Sequence, residues 1–453
     1  MQVYCTANQL QYPTVMTAVD TLIYTHWLIP VRPANTLLEN QAIALKDGKI
    51  EGIIDASVAD QQFNAENTIR LKPQQVVLPG LINAHGHTAM TLMRGMADDY
   101  PLQTWLNDHI WPAEAKWVSE DFVSDGSQLA IAEMIRSGTT CFSDMYFFPE
   151  VTADAAIEAG IRTQLTFPVF NFPSAWGSGP DDYIHKGLQL RDKFKHSDLV
   201  NIVFGPHAPY TVDDESLNKI ATYAFELDCQ IQIHLHETQQ EVDDAVKADG
   251  KRPIARMNDL GILSPRTQCV HMTALNEEDI ELIKATGSHV VHCPQSNLKL
   301  ASGFSPIATL MEKDINVCLG TDGAASNNSL NLFTEMRAAA LLAKAVAGDT
   351  AAVNDWQALE MATINGAKAL GIESITGSLE VGKAADLIAV DLSALEQQPV
   401  YQPISQLVYT ECGSHVTDSW IAGKQVLKAG RLTTLDSTFL KEQAQHWRDK
   451  MAR

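Results

Sequence analysis

This sequence predicts an α/β fold: a (β/α)8 barrel with a small discontinuous β-sandwich domain built from both ends of the chain. Three observations carry the expectation. The middle alternates apolar, strand-like runs with helical stretches; both ends are rich in β-formers; and histidines and aspartates gather where the apolar runs stop. At 453 residues there is room for one large domain and one smaller one.

The first β-rich end comprises 17–25 and 41–54, with Lys46-Asp47-Gly48-Lys49 as a hairpin turn. The same texture returns in 377–390 and 418–432, with turns at Glu380-Val381-Gly382-Lys383 and Ala422-Gly423-Lys424. Residues 1–75 and 376–453 are therefore assigned to the β-sandwich domain and 76–375 to the barrel. Within the barrel the strand-like runs are 76–85, 139–146, 161–170, 201–207, 230–236, 267–272, 289–293 and 316–321. Helical stretches at 120–137, 151–159, 181–195, 214–228, 239–260, 276–286 and 330–346 separate most of them. Asp213 or Asp214 caps the fourth of these and Gly287 ends the sixth. Strand and helix in this largely regular alternation make parallel strands and a barrel the economical solution.

Composition narrows the class. With 45% hydrophobic and 19% charged residues the chain has an ample core. Set against 55 acidic residues, 33 basic ones leave a net charge of −22, which argues against a polyanion-binding surface, so no nucleic-acid partner is expected. Seven cysteines (Cys5, Cys141, Cys229, Cys269, Cys293, Cys318 and Cys412) form no CxxC pair and read as reduced core residues. The N-terminus has no signal-peptide pattern and no apolar run reaches membrane-spanning length. The expectation is a cytoplasmic protein with no membrane partner.

In a barrel, chemistry is carried at the C-terminal ends of the strands. Strand one is the run Val77-Leu78-Pro79-Gly80-Leu81-Ile82-Asn83-Ala84-His85-Gly86-His87. Strand side chains alternate, so His85 and His87 point the same way, about 7 Å apart along the backbone. Strand two ends in Asp144-Met145-Tyr146, four in His207, five in His234 with His236 and Glu237 beyond, six in His271, seven in His292 and eight in Thr321-Asp322-Gly323. Any one of these alone is an ordinary core histidine or turn aspartate; together on one rim they read as a metal site. Imidazole and carboxylate donors suit zinc or another borderline divalent ion, iron and manganese included. His85, His87, His234 and Asp322 are the expected ligands. A two-metal version would need a bridging lysine on strand four, and 201–208 has none, so one zinc per subunit is expected.

A metal-activated water needs a group to manage its protons. Glu237, three residues past His234, can take the water proton and pass it to a ring nitrogen of the substrate. That task belongs to hydrolysis of a C–NH2 or C–Cl bond on a heteroaromatic ring. His271 would hold or polarise the water, and Asp322 would share the proton traffic. His236 alternates away from His234 and reads as structural. The H-x-E with P-C-x-x-C pattern of the cytidine-type zinc deaminases is absent, so a deaminase here must use the barrel.

On these residues the chain resembles the amidohydrolase superfamily, and within it the 5-methylthioadenosine/S-adenosylhomocysteine deaminases. The stretches that carry the resemblance are 78–87, Asp144–Phe147, Gly205–Tyr210, Ile233–Thr238, Ser296–Leu300 and Leu319–Asn331, the last the most specific. The resemblance implies metal at His85, His87, His234 and Asp322, acid/base work by Glu237 with help from His271, and nucleoside contacts from Glu114 and His207. Trp105, near Glu114, would stack on or cover the purine. The implied reaction is hydrolytic deamination of 5'-methylthioadenosine, adenosine or S-adenosylhomocysteine, by a homo-oligomer. Alternatives of the same architecture are a guanine deaminase or a triazine chlorohydrolase, with Glu114 and Ser326-Asn327-Asn328-Ser329 favouring a nucleoside; a non-catalytic scaffold is the rival of another class.

Two departures stand out. Gly86 replaces the threonine usual between the first two histidines. More consequential, the third strand and its loop read Phe167-Pro168-Val169-Phe170-Asn171-Phe172-Pro173-Ser174-Ala175-Trp176, without the arginines that suit a substrate carboxylate. A desolvated carboxylate needs a charged partner, whereas a methylthio group wants an apolar, aromatic wall. The expectation is a preference for 5'-methylthioadenosine, unless an arginine elsewhere, such as Arg94, reaches the site.

Overall fold

The computed structural model describes residues 16–452. Cys5 and the N-terminal segment lie outside the described residues. The other six cysteines are free and buried.

Among the described residues, seventeen strands sort into two sheets. One has nine strands, all from the chain ends: β1 (Thr17–Leu28), β2 (Leu38–Lys46), β3 (Lys49–Asp55), β4 (Phe63–Arg70) and β5 (Gln75–Pro79), then β14 (Leu387–Asp391), β15 (Val416–Ile421), β16 (Lys424–Lys428) and β17 (Arg431–Leu432). The other contains the eight strands of the middle: β6 (Leu81–Asn83), β7 (Thr139–Met145), β8 (Arg162–Val169), β9 (Val200–Pro206), β10 (Ile231–Leu235), β11 (Thr267–His271), β12 (His289–His292) and β13 (Val317–Leu319), in sequence order around the sheet. Every pair in it is parallel. The ring closes where Ala84 N–H donates to Leu319 C=O at 2.9 Å and Asp322 N–H to His85 C=O at 3.1 Å. The α/β barrel and the separate sheet of terminal strands are both borne out.

Two of the three turn signals form hairpins as read, while Glu380–Lys383 is a turn that leads into β14 and joins no pair of strands. Asp47 and Gly48 turn β2 into β3 with φ of 49° and 76°, and Ala422 and Gly423 turn β15 into β16 with φ of 46° and 75°. Positive φ at both turn positions matches the right-handed twist of the flanking strands. The sheet folds back on itself, since Ile50 N–H reaches Lys383 C=O at 2.9 Å.

The structure corrects three readings. The apolar run 76–85 is not one strand: it changes sheets at Gly80. Up to Pro79 it pairs with β14, and from Leu81 it pairs with β7. A Cβ at Gly80 would stand 2.0 Å from Thr140 Oγ1, so only glycine fits where the chain crosses from one sheet to the other. The stretch 239–260 is two helices, Gln239–Asp249 and Pro253–Asp259, because Pro253 cannot continue the first and instead opens the second. The end of the chain, grouped by sequence with the β unit, forms the helix Ser437–Met451. It packs against the barrel helix Glu120–Arg136, with Trp447 Nε1–H donating to Asp125 Oδ2 at 2.7 Å.

Candidate functional site

The strand-end residues meet at one rim. His85 Nε2 lies 3.2 Å from His234 Nε2 and 3.5 Å from Asp322 Oδ1, and His87 Nε2 lies 3.2 Å from the same oxygen. His271 stands on the other side, its Nε2 3.7 Å from Glu237 Oε2. Possible donor atoms of His85, His234 and His271, and of His85, His87 and Asp322, form two groups, each within 4.8 Å.

The outer atoms explain why the inner ones converge. Each imidazole donates its Nδ1–H to an acceptor: His85 to Gln232 Oε1 at 2.8 Å, His87 to Met145 C=O at 2.6 Å, His234 to His207 C=O at 2.8 Å and His271 to Asn297 Oδ1 at 2.9 Å. That fixes ring orientation and tautomer and leaves an Nε2 lone pair facing inward. Asp322 is held as firmly: Ser296 Oγ donates to Oδ2 at 2.6 Å, Ser326 Oγ to the same oxygen at 3.2 Å, and Gly323 N–H to Oδ1 at 2.8 Å. Several nitrogen lone pairs and a carboxylate crowded into a buried space repel one another unless a cation sits among them. The donor set therefore fits a divalent metal ion.

The backbone at this rim is strained. His236, His271, Met272 and Asp322 adopt φ of 53°, 77°, 50° and 61°. Such conformations in non-glycine residues cost about 1–3 kcal/mol each and concentrate at functional sites.

His87, His234, His271 and Asp322 of this cluster line a cavity of about 450 Å3. Trp105, Glu114, His207 and Glu237 all line it. Glu237 is 7% exposed, and its burial, with the charge of Asp322 adding to it, pushes its carboxyl up to about 8. Burial raises Glu114 to about 7 against the opposing pull of the Tyr146 hydroxyl. It also holds His207 down at about 3, so that ring is neutral, and His87 and His85 act in the same direction. Trp105 and Glu114 sit on a continuous helical segment, 102–117, with a wide π-type turn at Trp105–Ile110.

Phe147, Phe170, Phe172 and Pro173 wall the cavity, and among the described residues neither lysine nor arginine lines it. Arg94 is occupied elsewhere: it ion-pairs with Glu133 and donates to Asn328 C=O at 2.7 Å. The loop Ser326–Ser329, read as favouring a nucleoside, does not line the cavity; it supports Asp322 through Ser326 and engages Lys299 through Asn328. His236 is buried beside Asp279 and donates to Ala274 C=O at 3.0 Å, a structural place. His292 is 1% exposed and also lies outside the cavity wall.

Several contributors escaped the sequence reading. Glu241 accepts the backbone N–H of His236 at 3.1 Å and of Glu237 at 2.8 Å, fixing the turn that aims Glu237. Its signal was present: Thr238-x-x-Glu241 is a capping-box spacing, and Thr238 caps the helix beginning at Gln239. Ser296 and Asn297 lay within the motif Ser296–Leu300 without a role being read for them, and Gln232 had no comparable local signal.

The chain belongs to the amidohydrolase family, whose model matches residues 76–426. It is a hydrolase with a divalent-metal site. Over 97% of its length it is 55% identical to the 5-methylthioadenosine/S-adenosylhomocysteine deaminase of Saccharophagus degradans, covering 98% of that protein. The crystal structure of an adenosine deaminase from Xanthomonas campestris with bound zinc superposes with a TM-score of 0.95 at 45% identity, covering 96% of this chain and 99% of that one. Atrazine chlorohydrolase from Arthrobacter aurescens, at 22% identity and a TM-score of 0.87 over 94% of this chain and 99% of that one, shares the fold alone. Among the described residues no helix is long and apolar enough to cross a membrane.

Proposed function

We propose that this chain hydrolytically removes the C6 amino group of 5'-methylthioadenosine, giving the inosine analogue and ammonia, with one zinc held by His85, His87, His234 and Asp322. The observation that carries the reading is the cavity itself. A buried proton-exchanging carboxyl and the ligand cluster stand at its floor, and an aromatic wall without a cation stands above them. The named activities of the Saccharophagus relative and the Xanthomonas structure support the same substrate class.

When bound, the metal acts as a Lewis acid and lowers the pKa of a water towards about 7. The chain's own residues do the rest. Glu237 takes one proton from the attacking water and delivers it to ring N1, so C6 becomes tetrahedral without charge building on the ring. A carboxyl held near neutrality can give and take a proton at the same atom. His271 orients the water through Nε2 while Asn297 holds its far side. The second water proton passes by way of Asp322 to the amino nitrogen, the C6–N bond breaks and ammonia leaves. Glu114 accepts the ribose hydroxyls, neutral His207 contacts the purine, and Trp105 covers it.

The aromatic wall receives the 5' substituent. A methylthio group gains sulfur–aromatic contact there, whereas the carboxylate of S-adenosylhomocysteine would be desolvated with no cation to meet it. The barrel, 76–375, is the catalytic unit in this reading and the terminal segments a supporting one, in a cytoplasmic enzyme. Following the adenine-to-hypoxanthine absorbance change with metal-replete protein tests both parts. Rapid turnover of 5'-methylthioadenosine with weak turnover of S-adenosylhomocysteine is expected. Equal kcat/KM for the two overturns the preference, and no turnover of either, or of adenosine, overturns the substrate class.

A further inference from the structure

Glu335 lies on the helix Leu332–Ala347, 0% exposed, and takes no part in the chemistry above. Its carboxyl group receives three hydrogen bonds. Oε1 accepts from Asn327 Nδ2 at 2.6 Å and from Gln295 Nε2 at 2.8 Å, and Oε2 accepts from Gln295 N–H at 3.2 Å. The two donors belong to different segments, the short helices Pro294–Lys299 and Ala324–Asn327.

Those segments hold the site. Next to Gln295, Ser296 donates to Asp322 Oδ2 and Asn297 accepts from His271 Nδ1–H. Next to Asn327, Ser326 donates to Asp322 Oδ2, and Ser296 Oγ and Ser326 Oγ are 2.9 Å apart. Asn327 Nδ2 also donates to Thr321 C=O at 2.7 Å, which fixes the peptide entering the left-handed turn at Asp322. One buried carboxyl group thus ties together the supports on both sides of Asp322 and, through Asn297, the support of His271.

We propose that Glu335 is a positioning residue: it clamps the segments 294–299 and 321–327 so that Asp322 keeps its strained, metal-facing orientation and His271 its tautomer. The proposal rests on the reading of Asp322 as a metal ligand. Glutamine at 335 keeps one carbonyl oxygen but turns an NH2 donor toward the Gln295 backbone N–H, so the buried donors are no longer all met and the two segments are freer to move apart.

The test compares the holoenzyme with Glu335→Gln, and with Arg162→Met as a destabilised control at the opposite end of the barrel. Three readouts are release of metal to a coloured chelator, the visible spectrum of the Co(II)-substituted protein, and kcat and KM separately. Glu335→Gln is expected to release metal at least about tenfold faster, to shift the Co(II) spectrum and to lose about tenfold or more in kcat with KM held within about twofold. Arg162→Met should change none of these. Release and spectrum unchanged in Glu335→Gln, or an equal acceleration in the control, overturns the proposal. If Glu335→Gln does not fold, Asn327→Ala, which cuts the arm to Thr321, carries the test, and wild-type release there overturns it. Wild-type protein that binds no metal overturns both this proposal and the metal-site reading.

Discussion

The two ends of the barrel bury charge in opposite ways. At the N-terminal end Arg162, on β8, ion-pairs with Asp386 at 3.1 Å and donates to Asp198 C=O. Asp386 in turn accepts Ala422 N–H at 2.7 Å, so the arrangement also rivets the barrel to the terminal sheet. Every charge there has an opposite one or a hydrogen bond. At the C-terminal end, His85, His87, His234, His271, Glu237 and Asp322 crowd together without any lysine or arginine among the cavity-lining residues. Burial opposite a fixed cation holds a fold together, while burial among hydrogen bonds alone leaves groups poised to bind an ion or exchange a proton.

Variants at each end can break or sharpen that contrast. Removing a ligand has the largest expected effect: His234→Ala should weaken metal affinity by more than about 100-fold and take turnover to background. Metal analysis after gel filtration checks it, and full metal content would remove His234 from the ligand set. Glu237→Gln keeps the shape of the side chain but not its proton, so kcat should fall by about 10²–10⁴-fold with metal content unchanged. At the other end, Arg162→Met leaves Asp386 buried and unpaired and should cost about 3–5 kcal/mol of stability in denaturant melts. The kcat/KM of the protein that remains folded should match wild type; if activity falls in step, the two ends are not separable.

Acid and base resolve the contrast further. Burial raises the Glu335 carboxyl to about 8, against the hydrogen bonds of Asn327 and Gln295. Between the ordinary value of 4.5 and about 8 the folded chain holds a proton that the unfolded chain has released, so this group makes stability fall as pH rises through that window. Melting temperatures of metal-free wild type and Glu335→Gln from pH 5 to 8.5 should show the wild type losing ground with rising pH; parallel curves would refute it. The smallest effect expected is on specificity. Phe172→Arg, at the cavity wall, should raise the ratio of S-adenosylhomocysteine to 5'-methylthioadenosine kcat/KM by about tenfold, the worth of one charge-assisted contact near 1.4 kcal/mol.

What was legible in the chain follows from the range of the interactions. Strand-end residues such as His85, His87 and Asp322 can be read because strand alternation and the one-sided chemistry of a barrel are local rules. The break at Gly80 was signalled by Pro79-Gly80 but masked by apolar residues on both sides, since both sheets bury the same kind of strand. The carbonyl of Met145, which orients His87 from 58 positions away, leaves no trace in residue type. The same holds for Gln232 and Asn297, whose roles exist only after closure of the ring brings them to the histidines. Glu241 was readable as a capping box, yet its service to Glu237 was not, because the cap and the turn it stiffens are the same few residues.

The crossing at Gly80 sets a limit on taking this molecule apart. Six residues before His85 the chain is still a strand of the other sheet, flanked by β1 and β14. A barrel expressed by itself from residue 76 would begin with a severed, apolar edge, and its first two histidines would hang from a strand without neighbours on its upstream side. Insertions, fusions and circular permutations should therefore spare 75–87 as a single unit, and new termini belong in exposed loops far from it.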